Sequence, residues 1–247
     1  MSEGAPGQPL DDFLAELDGV VAATMTDQNR VLRAVADGTL SLEFLRRLCQ
    51  EFYFQGRWFT AEFGSLVANA PDVDALSLST SEHMRYWAWN LADECGFLGE
   101  PNHVALKVEW AHQLGITDAE LDAYVPLPET IGVTFTCLYY MRRSYEEGLA
   151  AFGWAGERYA ATTGYAQLLY EGMREHYGLE VENFRLHAED EHRDMSVQLL
   201  RDVATTAGAQ RRVRRAVLHV MTLRAARTRA LNAWLELPDA QREVSRT

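Results

Sequence analysis

Residues 42–70, Leu-Glu-Phe-Leu-Arg-Arg-Leu-Cys-Gln-Glu-Phe-Tyr-Phe-Gln-Gly-Arg-Trp-Phe-Thr-Ala-Glu-Phe-Gly-Ser-Leu-Val-Ala-Asn-Ala, decide the fold class. Leu42, Leu45, Leu48, Phe52, Phe59, Phe63 and Leu66 recur at helical spacing and cover a wide apolar sector, which Gln50, Glu51 and Tyr53 interrupt with polar groups. Ser41 opens the segment as an N-cap and Pro71 closes it, so the spacing predicts one long helix to about Ala70 that lines a cavity or a packed interior.

The same periodicity extends outward on both sides. Phe13, Leu14, Leu17, Val20 and Val21 predict an amphipathic helix from Leu10, and a short helix follows over 28–36, stopped by Gly38. Downstream, helices are expected over 72–95, 103–114, 117–124, 129–152, 154–177, 182–207 and 210–235. Those over 129–152 and 154–177 are either two helices or one bent near Gly153 and Gly156. No Asn-Gly or Asp-Gly hairpin signal and no sustained period-two run occurs, so the class is all-α. The expected layout is a disordered lead-in over 1–9, a single helical domain over 10–238 and a tail over 239–247.

The chain has 247 residues, 47% of them hydrophobic, enough for one large core. Its net charge of -13 repels phosphate, which argues against nucleic acid as a partner. Arg211, Arg212, Arg214, Arg215, Arg224, Arg227 and Arg229 nevertheless form a local basic block, either a helix face paired with nearby carboxylates or a docking face for a partner. Cys49, Cys95 and Cys137 lie far apart and suggest neither a disulfide framework nor a thiolate zinc site. The opening MSEGAPGQPLDDF carries no export signature, and no run approaches the length of a membrane span, so a cytoplasmic chain that engages no membrane is expected. Lys107 is the only lysine.

Potential metal ligands concentrate in Phe184-Arg-Leu-His187-Ala-Glu189-Asp190-Glu191-His192-Arg-Asp194, where His187, Asp190, Glu191 and Asp194 share one helical face. An imidazole among carboxylates suits iron or manganese. A second pair, Glu94 and His103, brackets a turn across which the end of one helix and the start of the next can converge, although each could instead serve as a cap. Glu157 stands among aromatic and small residues, where either Arg158 or a metal would supply its counter-charge.

In order and spacing, Glu94 with His103, then Glu157, then the His-xxx-acid-xx segment after Tyr177-Gly178 resembles the heme-oxygenase-like diiron oxidases and oxygenases, over about Leu10 to Leu235. Pyrroloquinoline-quinone synthase and thiaminase II share that skeleton. The resemblance implies seven or more helices around a central cavity, two Fe(II) ions per chain, dioxygen as co-substrate and a small metabolite, such as an amino acid or derivative, as substrate. Desaturation, hydroxylation, carbon–carbon cleavage and cyclisation are the outcomes it implies. The implied ligands are Glu94, His103, Glu157, His187, Glu191 and Asp194. The last motif departs from the family's His-xxx-Asp-xx-His: Glu191 lengthens the middle acid and Asp194 replaces the final imidazole, which alters the second iron site. His192 is its substitute if the helix carries a π-bulge.

Tyr53, Arg57, Tyr140 and Arg143, polar residues in apolar helix sectors, are candidate substrate contacts, and a homodimer is expected. Two other readings stand beside this one. The first is a cofactor-free oxidase or a thiaminase-like enzyme of the same fold with Cys137 as nucleophile, and the second is a non-enzymatic helical partner-binding protein.

Overall fold

The computed structural model describes residues 4–25, 29–71, 79–97, 99, 101–159, 164–189 and 193–237, without the side chains of residues 157, 187–189 and 193–196. The described residues are helical apart from short connections: α1 Leu10–Thr24, α2 Arg30–Ala36, α3 Leu42–Gly56, α4 Phe59–Asn69, α5 Glu82–Glu94, α6 His103–Gln113, α7 Asp118–Ala123, α8 Pro128–Arg143 and α9 Tyr145–Leu149 come first. A π-helical segment, Ala150–Arg158, follows, and then α10 Tyr165–Tyr177, α11 Glu182–Glu189, α12 Arg193–Val203 and α13 Ala207–Trp234. No helix is long and apolar enough to cross a membrane.

Capping residues set the boundaries. Asn29, Ser41, Ser81, Asn102 and Thr206 each accept a backbone N–H at a helix start, and Thr117 with Glu120 forms a reciprocal capping box. The Ser81 cap explains why α5 starts at Glu82 rather than at residue 72. In the same way the Thr206 cap, and not Gly208, separates the last two helices.

The expected single helix over 42–70 is two, α3 and α4, kinked at Arg57 and Trp58. Hydrogen bonds from Arg57 N to Tyr53 O (3.0 Å) and from Glu62 N to Trp58 O (2.9 Å) carry the chain through the bend. Beside the bend the Lys107 stem packs onto Gly56, where a Cβ would collide with its methylenes. Ser144 makes the break over 129–177, and the stretch around Gly153 and Gly156 winds as the π-helix.

Two apolar clusters form the core. One gathers α1, α4, α5, α8, α9, the π-helix, α12 and α13 around Phe13, Phe63, Trp87, Phe152 and Trp154; the other gathers α2, α3, α6, α10 and α11 around Leu45, Trp110, Met173 and Phe184. Phe63, Trp87 and Phe152 meet with ring centroids 4.8–6.2 Å apart. Residues 4–9, expected as a structureless lead-in, lie against the start of α13: Gly7 N donates to Thr205 O (3.0 Å) and Ala207 N to Ala5 O (2.9 Å).

The basic block of α13 is partly consumed within the fold. Arg212 pairs with Glu146, Arg214 with Glu16 and Arg215 with Glu147, so three of its seven arginines are matched by carboxylates of α1 and α9.

Candidate metal centre

Glu94 ends α5 and His103 begins α6, so the connection between them, with Gly96 and Gly99 at positive φ, folds the two side chains back onto each other. His103 Nδ1–H donates to Glu94 Oε1 at 2.9 Å, and Asp93 Oδ2 lies 3.7 Å from His103 Nε2. Both side chains are buried, and the second oxygen of Glu94, Oε2, is enclosed without a hydrogen-bond partner among the described residues. A buried carboxylate oxygen with no donor is costly.

Glu62, on α4, is also buried. Burial pushes its carboxyl up to about 8, against the opposing pull of Arg224 and with reinforcement from Glu94. Nothing in the sequence had singled out Glu62, because its neighbours Phe59, Phe63 and Leu66 mark that helix as core. The available signal was its position in the same sector as those residues, which placed a carboxylate inside.

Lys107 follows His103 by one helical turn and shares its face. Its Nζ donates to Asn183 Oδ1 (2.9 Å) and His103 O (3.3 Å) and lies 5.4 Å from the centre of the Phe59 ring. Burial pushes this amine down to about 8, with Glu94 opposing. The chain's one lysine therefore stands inside, next to the acids.

Among the described residues no three of His, Cys, Asp and Glu are gathered closely enough to hold a metal ion. Glu191 lies outside the described residues, as does His192, and the side chains of Glu157, His187 and Asp194 are not described. Their backbones are: Glu157 belongs to the π-helix, His187 to α11 and Asp194 to α12. A π-distortion lies around Glu157; the one that would let His192 serve as substitute ligand falls outside the described residues.

The family model of iron-containing redox enzymes matches residues 46–225. The chain belongs to that family. Solved structures agree on the fold of this iron-containing redox enzyme family member. A domain of unknown function with a heme oxygenase-like fold from Shewanella denitrificans superimposes with a TM-score of 0.69 at 13% identity, covering 93% of this chain and 94% of the other. A TenA homologue from Pseudomonas syringae gives 0.63 at 16% identity over 92% and 99% of the two chains. A TenA-like thiaminase from Sulfolobus solfataricus, itself described as putative, gives 0.53 at 11% identity over 87% and 92%. No curated protein matches the sequence significantly.

The donor types seen in this family member, an imidazole and carboxylates, suit iron. Glu94 and His103 offer oxygen and nitrogen, Glu94 Oε2 has no hydrogen-bond donor among the described residues, and Glu62, on which the Glu94 charge acts, is a second enclosed carboxyl. The four expected substrate contacts do not gather there. Arg57 is exposed, with its guanidinium over the Phe54 ring; Arg143, also exposed, pairs with Glu147 at 3.0 Å. Tyr140 is buried, but its hydroxyl lies 2.6 Å from His219 Nδ1, and Tyr53 packs against the second apolar cluster. Long arginines on helix edges reach outward because their charge is best solvated there, which helical spacing alone does not reveal.

Proposed function

We propose that this chain holds iron, two ions when fully loaded, and uses dioxygen to oxidise a small metabolite by desaturation, hydroxylation, carbon–carbon cleavage or cyclisation. The proposed ligands are Glu94, His103, Glu157, His187, Glu191 and Asp194, with Glu62 added from its position beside Glu94. The observation that supports this reading is the buried Glu94–His103 pair, with Glu94 Oε2 left without a donor and Glu62 enclosed nearby. Iron, when bound, would supply the activation of dioxygen.

The chain's own residues prepare that site. Glu94 Oε1 fixes the plane of the His103 imidazole, so the ring is oriented before anything binds. Phe59, Phe63 and Phe152 pack edge to face beside Glu62 and exclude water, which strengthens every charge interaction within. Lys107 places a donor beside the carboxylates and is tethered by Asn183, which keeps it from swinging outward. Cys137 does not favour the thiaminase-like alternative. Its thiol is buried, pushed up to about 12 mainly by that burial, and aimed at Ala151 O at 3.8 Å.

Anaerobic titration with Fe(II) tests the reading. The expected result is about two irons per chain followed by oxygen uptake, with loss of iron in Glu94→Ala and His103→Ala. Full-length, folded protein that retains no iron would end it.

A further inference from the structure

We propose that Arg224 and Arg227, one turn apart on the inner face of α13, form a seat for the carboxylate of the substrate. The word substrate rests on the oxidase reading; the anion seat does not.

Arg227 is 8% exposed. Its Nε donates to Thr130 Oγ1 (3.0 Å), its Nη1 donates to Gln55 Oε1 (3.0 Å), and its guanidinium carbon lies 5.6 Å from the Phe52 ring centre. The carboxylate nearest in charge, Glu51, is already saturated. It accepts from the Tyr124 hydroxyl (2.6 Å), from Leu127 N (2.9 Å) and from the Thr130 hydroxyl, and so reaches Arg227 only through Thr130. Arg227 Nη2 is left enclosed without an acceptor.

Arg224 is less satisfied still. It makes no hydrogen bond or ion pair with any described residue, and its Nε is enclosed without an acceptor. Its guanidinium carbon lies 6.0 Å from the Tyr159 ring centre, and its charge is felt at Glu62, Cys137 and Arg227. Gly156, in the π-helix, packs beside its Nη2, since a Cβ there would lie 3.4 Å from it.

Two like charges one turn apart, with enclosed N–H groups that no described residue satisfies, are expensive, and a bound anion removes that cost. A guanidinium fork favours a planar carboxylate. Such a group held at Arg224 places the rest of its molecule next to Glu62, where the proposed iron ligands begin.

The test uses full-length, metal-free protein and a matched pair of probes, hexanoate and its uncharged isostere hexanamide, with binding followed by saturation-transfer NMR. Hexanoate is expected to bind at least about tenfold more tightly than hexanamide. Arg224→Gln should abolish that preference, Arg224→Lys should keep part of it, and the exposed Arg211→Gln should leave it intact. Gly156→Val, which covers the seat without removing charge, should weaken hexanoate if Arg224→Gln proves unstable. Equal binding of acid and amide, or an undiminished preference in both Arg224→Gln and Gly156→Val, overturns the seat. Fe(II) binding measured on the same samples separates the two readings. A hexanoate preference without iron removes the oxidase and keeps the seat, whereas iron bound without that preference removes the seat alone.

Discussion

Glu94 and His103 meet at 2.9 Å across the turn that joins α5 to α6, and the other oxygen of Glu94 has no donor. Each residue therefore depends on the other for its orientation. Glu94→Ala and His103→Ala should each lower Fe(II) retention by at least about tenfold, read by elemental analysis after anaerobic loading. Circular dichroism should show an unchanged helical fold, because both residues lie at helix ends.

Glu62 gives the metal-free protein a pH signature. Its carboxyl is raised from the ordinary 4.5 to about 8 by burial. A raised folded-state value means that the native state holds the proton more tightly, so this stability is full below the unfolded value and is lost as pH rises through about 8. Lys107, lowered to about 8, contributes a constant penalty at lower pH and so does not mask the slope. Between pH 5.5 and 7.5 wild-type stability in urea should fall by about 2 kcal/mol more than that of Glu62→Gln.

The three thiols should separate by reactivity. Cys49 and Cys137 are buried with raised thiols, whereas Cys95 is partly exposed. Iodoacetamide at pH 8 on native protein, followed by peptide mapping, should label Cys95 first. Rapid labelling of Cys137 would instead revive its role as a nucleophile.

Glu147 is fully buried between Arg143 (3.0 Å) and Arg215 (2.6 Å). Removing both arginines leaves an unpaired buried carboxylate, so Arg143→Ala with Arg215→Ala should cost about 3 kcal/mol in denaturant melts. Arg214→Ala, which breaks a half-exposed pair with Glu16, should cost less than about 1 kcal/mol.

Tyr145 accepts from Trp87 Nε1 (2.9 Å), and its hydroxyl lies 3.0 Å from His83 Nδ1. Tyr145→Phe keeps the ring packing and orphans the buried indole N–H. Its expected cost is about 1–2 kcal/mol, measured by thermal or urea unfolding.

The local grammar of the chain was legible. Apolar spacing located the helices, and Gly38, Ser41 and Pro71 marked helix ends, because capping and periodicity depend only on residues a turn apart. The bend at Arg57 and Trp58 was not legible, and neither was the approach of the Lys107 stem to Gly56, because Lys107 lies on another helix. Glu94 and His103 could be paired from sequence because one short turn joins them.

By itself the sequence determined an all-helical chain, its acidic character and the Glu94–His103 turn, all of which follow from neighbours along the chain. Only tertiary structure decided that Glu62 lies beside Glu94, that the sole lysine is interior, and that Arg224 and Arg227 face inward while Arg57 and Arg143 face out. A charged side chain on an amphipathic helix reads alike whether it meets water or a buried partner. Which of the two it meets is fixed by the packing of helices distant in sequence.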